Sequence, residues 1–275
     1  MKLERTKEFW NKLSDADAMW AVLSNPEKFG GRWTAAEFFE TGIAEIDAVL
    51  RRLESLGIEF QHSDALDFGC GLGRLTRAIA KHFSRTTGVD VAPAMIDRAR
   101  QLSEPSENCS YLVNDTDDLS QFSDRAFDFI YSRLVLQHMN PATSLRYIRE
   151  FGRVLRPEGV LVFQIPEPNR DKPWLRLIYY LRRFVGASPT LVRAYRRMLF
   201  RHADADVLNS MPTALMEMEG IDRQTVANLL TEIGVAVISV DADHEQNQGL
   251  TPSKSWLYYC IKRQPNVSVK LKAPI

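Results

Sequence analysis

Apolar and polar positions repeat along the chain with two periods, and the elements change where the period changes. From Phe38 the apolar residues return at Ile46, Val49, Leu50, Leu53 and Leu56, the spacing of an amphipathic helix. Thr34 and Glu37 ahead of it have the form of a capping box, and Gly57 closes it. From residue 65 short apolar runs (65–68, 87–89, 111–113, 127–131 and 160–165) alternate with stretches of helical spacing. Pro93 after Ala92 suits the first turn of one such helix. Leu145, Ile148, Phe151, Val154 and Leu155 line one face of another, which Arg156-Pro157-Glu158-Gly159 ends. Strand–helix alternation predicts an α/β fold with a doubly wound parallel sheet, whose ligands lie beyond the carboxyl ends of the strands. Further on, Asp222 is placed to cap a helix reaching Ile233, followed by strands at 235–240 and 256–261.

Two regions stand outside this rhythm. Residues 1–33 are polar with scattered aromatics and read as short helices, with turns at Asn25-Pro26 and Gly30-Gly31. Residues 169–219 interrupt the alternation after the fifth strand. The chain therefore divides into a helical cap (1–57), a core (58–168 and 220–263), a helical lid insert (169–219) and a loose tail (264–275), with one catalytic domain overall.

Composition narrows the class without naming it. The 275 residues are 45% hydrophobic and 25% charged, as in ordinary globular proteins, and 35 basic side chains balance 35 acidic ones. A chain of zero net charge is a poor general polyanion binder. Cys70, Cys109 and Cys260 stand far apart and in no metal-ligand spacing, so they read as free thiols of a reducing compartment, and no metal site is expected. The N-terminus has no apolar leader run, which makes the cytoplasm the expected location.

The candidate chemistry begins at 65–80, ALDFGCGLGRLTRAIA: a short strand, a glycine turn, then a helix. Glycines let the turn adopt positive φ and let a ligand approach bare backbone, and the helix is expected to aim N–H groups at that ligand. The spacing G-x-G-x-G is neither the dinucleotide fingerprint nor a phosphate loop. Asp90 ends the next apolar run, about 20 residues on, where a ribose is gripped in dinucleotide folds. Here the chain resembles the class I S-adenosylmethionine-dependent methyltransferases: "LDFGCGLGRLT" is similar to their first motif and "GVDVAPAMIDRAR" to their second. The alternatives at this point are a glycine turn that serves packing alone, or a nicotinamide enzyme.

The resemblance implies a Rossmann-like, seven-stranded, mostly parallel sheet with the last strand antiparallel. It implies S-adenosylmethionine as cofactor and S-adenosylhomocysteine as product. Asp67 would orient the glycine loop, with Gly69, Cys70, Gly71 and Gly73 facing the methionine and ribose. Asp90 would take both ribose hydroxyls, since a carboxylate accepts from two donors at once. Val91 and Met95 would pack on the adenine, and Asp115, helped by Asn114 or the Thr116 backbone, would meet its amino group. An Asx turn is the structural alternative for those last three. Ser132 and Leu134 would touch the cofactor through backbone atoms. "GGRWTAAEFFETG" is similar to a segment found ahead of the glycine motif in some bacterial members, which puts Trp33, Phe38 and Gly42 near the cofactor as a flap. Packing is the competing reading for these aromatics.

His138 is the candidate catalytic residue. It resembles the histidine that phosphoethanolamine methyltransferases carry after "SRD", although Leu134 replaces that acid here, so their substrate does not transfer. A structural, hydrogen-bonded histidine is the alternative. The motifs of the exocyclic-amine and cytosine-C5 nucleic-acid methylases are absent, which argues against DNA.

The insert adds one more feature. Pro173 and Ser188-Pro189 can each start a helix, and between Arg170 and Arg201 nine basic residues face the single acid Asp171, a local charge of +8. As a lid it could present Arg193, Arg196 and Arg197 to an anionic acceptor, because Arg forks match carboxylate and phosphate. Solvated arginines, transient membrane-surface contact or RNA are the other readings of this patch. The function expected is methyl transfer to an O or N atom of a small-molecule acceptor, anionic in one reading. An RNA methyltransferase using the basic insert and a catalytically silent cofactor-binding protein stand as alternatives. The acceptor and the oligomeric state stay open at this stage.

Overall fold

In the computed structural model, which describes residues 3–103, 108–168, 188–199, 208, 211–212, 218–243 and 253–263, every expected strand joins one sheet. The strands are β1 (Asp64–Phe68), β2 (Arg85–Asp90), β3 (Cys109–Val113), β4 (Phe127–Ser132), β5 (Leu155–Pro168), β6 (Val235–Ala242) and β7 (Ser253–Lys262). They lie in the order β3-β2-β1-β4-β5-β7-β6. The first five pair in parallel, and β7 runs antiparallel to both β5 and β6. The Rossmann-like, mostly parallel, seven-stranded sheet is therefore borne out.

The described helices are α1 (Leu3–Val22), α2 (Ala35–Ser55), α3 (Arg74–Ala80), α4 (Pro93–Leu102), α5 (Pro141–Val154), α6 (Pro189–Leu199) and α7 (Arg223–Glu232). Strands β1 and β4 are buried at every residue, as central strands covered on both faces must be. Alternate residues go to opposite faces. Leu66, Phe68 and Ile130 pack with α5 and α7 residues such as Ile148, Phe151 and Leu230. Ala65, Phe129 and Tyr131 pack with Ile46, Val49 and Leu53 of α2 and with Leu75 and Ile79 of α3. A third cluster joins α1 to the edge of the glycine turn through Phe9, Leu13, Phe38, Leu72 and Met95.

The helix boundaries follow local chemistry. Thr34 and Glu37 form both bonds of the capping box. At the other end the Gly57 and Ile58 amides donate to the carbonyls of Glu54 and Leu53, with Gly57 at φ +69°, which is a Schellman closure. Asp222 caps α7 by accepting from the Gln224 amide. The expected short N-terminal helices are the two halves of α1, separated by a kink at Asp17, whose backbone is extended (φ −163°, ψ 90°). The Asp17 carboxylate accepts from the Trp20 amide and from the amides of Gly30 and Gly31, so one acid restarts the helix and anchors the glycine turn. The helix ends just before Arg156-Pro157-Glu158-Gly159, as expected, and β5 starts at Leu155 directly after α5. Arg156 is held there by Asp64 and Asp128 at 2.8 and 2.7 Å.

Of the expected insert, α6 falls among the described residues, while its first helix from Pro173 lies outside them, as does the tail from residue 264. Among the described residues no helix is long and apolar enough to cross a membrane, and no group of three or more His, Cys, Asp and Glu side chains could hold a metal ion.

The close crossing of α2 over α3 depends on Gly42. A Cβ there would stand 2.3 Å from the Arg74 carbonyl oxygen, which belongs to backbone that cannot yield cheaply. Gly42→Ala is expected to lower stability by about 1–3 kcal/mol, the range for overpacking. Urea unfolding measures it, and an unchanged midpoint would show that the two helices are not held at this distance.

Candidate active site

The turn between β1 and α3 is built from three left-handed glycines. Gly69, Gly71 and Gly73 have φ of +79°, +51° and +78°, a region costly for residues with a Cβ. Neighbours close in on each. A Cβ would lie 2.2 Å from the Val135 side chain at Gly69, 2.9 Å from Val22 at Gly71 and 2.3 Å from the Tyr111 hydroxyl at Gly73. Four amides of this turn are taken up within the protein. Gly69 and Cys70 both donate to the Val89 carbonyl at 2.8 and 2.9 Å, and Gly73 donates to the Cys70 carbonyl at 2.8 Å. Gly71 donates to Asp90 Oδ2 at 2.9 Å, and the other Asp90 oxygen accepts from the Ala92 amide, also at 2.9 Å.

Two carboxyl groups stand beside the turn. Burial pushes the Asp90 carboxyl above the usual carboxylate range, and the amides of Ala92, Gly71 and Val91 draw it part of the way back. Burial also pushes Asp67 up, to about 7, with Glu45 and Asp90 adding to the effect and the Thr76 hydroxyl and Arg74 opposing it. Thr76 donates to Asp67 Oδ2 at 2.6 Å, so Asp67 braces the start of α3 from behind the turn. The Cys70 thiol is buried and pushed well above its ordinary value, mainly by that burial, which makes it inert.

A buried ionic cluster forms the wall at the other side of β1 and β4. Glu45 of α2 accepts from Arg74 at 2.8 Å and from the Tyr131 hydroxyl at 2.7 Å, and pairs with Arg133 at 3.1 Å. Arg133 in turn reaches Asp243 at 3.2 Å, at the end of β6. Although burial works against it, the two guanidinium groups keep the Glu45 carboxyl below its usual value. Nearby, Arg52 forms a two-pronged pair with Asp241 at 2.8 and 3.1 Å.

The segment after β4 is held by amide side chains. Leu134 is left-handed (φ 61°), a strained conformation for a branched residue, and its amide donates to Gln164 Oε1 at 3.0 Å. Gln164 Nε2 donates to Gln137 Oε1 at 3.2 Å and to Ser255 Oγ. Gln137 Nε2 lies 3.1 Å from His138 Nε2. His138 ends a 3₁₀ turn (Leu136–His138), is buried, and packs edge-on against Trp10 of α1 with ring centroids 5.3 Å apart.

These elements enclose a cavity of about 1770 Å³ beyond the carboxyl ends of the strands, roofed by α1 and α2. Gly69, Cys70, Gly71, Asp90, Val91, Met95, Asn114, Leu134 and His138 line it, as does Trp33. Asp67, Gly73 and Ser132 lie behind the wall. Phe38 is fully buried in the α1 cluster and Gly42 sits in the α2–α3 crossing, so these two serve packing. Asp115 and Thr116 are exposed and do not line the cavity. The Asn114 amide is engaged with the Tyr147 hydroxyl and the Thr116 carbonyl, which ties down this loop. Arg193 and Arg197 on α6 are exposed and do not line the cavity, while the Arg196 side chain lies outside the described residues. Glu45, Arg74, Arg133, Asp243, Gln137, Tyr147 and Trp10 line the cavity without having been singled out in the sequence. Glu45 did leave a signal: it sits among Gly42, Ile46, Val49 and Leu53 on the apolar stripe of α2, where a carboxylate requires a partner.

Comparison with known proteins places this architecture. Residues 66–163 match the family described as a methyltransferase domain. The chain is similar to the 2-methyl-6-phytyl-1,4-hydroquinone methyltransferase of Synechocystis, 33% identical over 40% of this chain and 37% of the relative. It is also similar to the malonyl-[acyl-carrier protein] O-methyltransferase of Serratia marcescens, 32% identical over 52% of this chain and 51% of the relative. The chain thus spans about half or less of the length of these curated relatives. The magnesium protoporphyrin IX methyltransferase of Synechocystis, solved with bound S-adenosylhomocysteine, shares the fold at a TM-score of 0.58 and 15% identity, covering 95% of this chain and 99% of that one.

The Asp67 carboxyl makes stability depend on pH. Its ordinary value is 3.8 and burial brings it to about 7. Between those values the folded chain holds a proton that the unfolded chain has released, so stability falls as pH rises through this window. Asp67→Asn is expected to remove that fall, worth about 4 kcal/mol across the full window. Urea unfolding of parent and variant from pH 5 to 8 measures it; parallel curves would mean that Asp67 titrates like an exposed carboxylate.

Proposed function

We propose that this chain, whose residues 66–163 are a class I S-adenosylmethionine-dependent methyltransferase domain, transfers a methyl group from S-adenosylmethionine to a small-molecule acceptor. The observation that carries this reading is the pairing of an amide-engaged glycine turn with a half-buried carboxylate at the end of the next strand. Asp90 lines the cavity with its oxygens accepting from the Gly71 and Ala92 amides, and a carboxylate has further acceptor capacity for two vicinal hydroxyls. Beside the turn, the Asp90 carboxylate suits a neutral or cationic group better than an anionic one. Val91 and Met95 supply apolar contact beside Asp90. The residues present therefore fit the cofactor that the family uses.

S-adenosylmethionine, when bound, supplies a methyl group on a sulfonium that is already strongly electrophilic. What remains for the protein is placement and exclusion of water. Helix α1, with Trp10 and Val22 against the cavity, and α2, with Thr41 and Glu45, close the roof and keep solvent out. The rigid Leu134–His138 segment faces the acceptor side, and we place His138 beside the acceptor. The polar wall balances Arg52, Arg74 and Arg133 against Asp241, Glu45 and Asp243. A wall of zero net charge favours an acceptor without net negative charge over a phosphorylated one. Arg193 and Arg197 on α6 are exposed and stand apart from the cavity lining.

Two substitutions test this reading. Asp90→Ala is expected to weaken S-adenosylhomocysteine binding by about 1.5–3 kcal/mol, the range for charged hydrogen bonds. Calorimetry on parent and variant measures it, and equal affinities would remove Asp90 from the site. His138→Ala is expected to lower kcat with an identified acceptor while leaving S-adenosylhomocysteine affinity within about twofold. A variant as active as the parent would return His138 to a packing role.

A further inference from the structure

The amide chain behind His138 has a direction, and that direction can be read from one end. Leu134 N–H can only donate, and it points at Gln164. The Gln164 atom that meets it must therefore be the carbonyl oxygen, which leaves the NH₂ group facing Gln137 and Ser255. Both N–H bonds of that NH₂ group are thereby used, one to Gln137 Oε1 and one to Ser255 Oγ. With its oxygen turned to Gln164, Gln137 can present only its own NH₂ group to His138. His138 Nε2 must then accept, so the ring is neutral and its proton sits on Nδ1.

We propose that Gln164 and Gln137 are positioning residues that set the tautomer of His138, and that His138 Nε2 is thereby barred from acting as a proton acceptor toward the substrate. Taking a proton at Nε2 requires Gln137 to turn over. That brings the Gln137 NH₂ against the Gln164 NH₂, and relief by turning Gln164 puts two donors together at Leu134. Each step leaves a buried polar group unsatisfied: Gln164 is completely buried, and Gln137 and His138 are nearly so. Ser255 strengthens the lock, because its carbonyl accepts from the Asp243 amide and so fixes the Gln164 end to the β6–β7 edge. The consequence for the reaction, which rests on the methyl-transfer reading above, concerns the acceptor class. A hydroxyl that must surrender its proton to Nε2 is disfavoured, and an acceptor arriving with its own lone pair, as a neutral amine does, meets the requirement. A neutral amine also suits a wall of zero net charge.

The test is nitrogen NMR on the full chain labelled with ¹⁵N at its five histidines, with His138→Asn to assign the resonances. In the parent, neutral His138 is expected to carry its proton on Nδ1. In Gln164→Glu the ionised carboxylate can only accept, so Gln137 turns and the proton moves to Nε2. Gln137→Met removes the donor and leaves a mixture of tautomers. A parent chain with Nε2–H overturns the relay outright, whether or not the variants fold. A folded Gln164→Glu variant that keeps the Nδ1–H form, or a Gln137→Met variant with the parent's tautomer, does the same. The tautomer is read without turnover, so the two claims separate. A chain that binds no S-adenosylhomocysteine but shows Nδ1–H loses the methyltransferase reading and keeps the relay. A chain that binds it and shows Nε2–H loses the relay alone.

Discussion

The glycine turn after β1 is the constraint on which the rest of the site depends. Three positions of positive φ within five residues require glycine, and the walls formed by Val135, Val22 and the Tyr111 hydroxyl stand too close for a Cβ at any of them. Those walls come from the segment after β4, from α1 and from β3, so the turn is the point at which separate parts of the chain meet. Its inward amides tie it to Val89 and Asp90 at the end of β2. A ligand bound there touches backbone that is already fixed, which is the preorganisation that a transfer reaction requires.

The second feature is the way buried charge is handled around the cavity. Isolated, each of Glu45, Arg74, Arg133 and Asp243 would cost several kcal/mol to bury. Linked in one chain of contacts from α2 to β6, they satisfy one another and tie the helical roof to the sheet. Such clusters add little net stability against apolar substitutes but leave a partner charge stranded when one member is removed. Asp90 and Asp67 have no such cationic partner at hydrogen-bonding distance among the described residues, and burial raises both. The glycine-turn side of the cavity thus holds a carboxyl without a cationic partner, and the charge-balanced side lies under α2.

Much of this was legible in the sequence, for physical reasons that differ by element. The strands showed because central β-strands are buried on both faces and read as apolar runs, and α2 showed because its stripe, capping box and Gly57 agree. The cofactor turn was legible because positive φ leaves few alternatives to glycine. Asp90, at a strand end, was found by spacing alone. The long-range pairs were not legible: nothing local ties Glu45 to Arg133 or Gln164 to Leu134, since those contacts exist only once the sheet order is set. The short N-terminal helices were legible, but the kink between them at Asp17, whose carboxylate caps the second, was not located. Asp115 was singled out by resemblance and position, yet the loop is tied down through Asn114 and Tyr147, leaving Asp115 at the surface.

The most direct measurement is a crystal structure of the unaltered chain grown with S-adenosylhomocysteine. The nucleoside should lie in the cavity over Gly69–Gly71, with both ribose hydroxyls within hydrogen-bonding distance of Asp90 and the thioether directed toward the Leu134–His138 segment. Density for the nucleoside elsewhere, or a chain that takes up none at millimolar concentration, would contradict the assignment of this cavity as the site of methyl transfer.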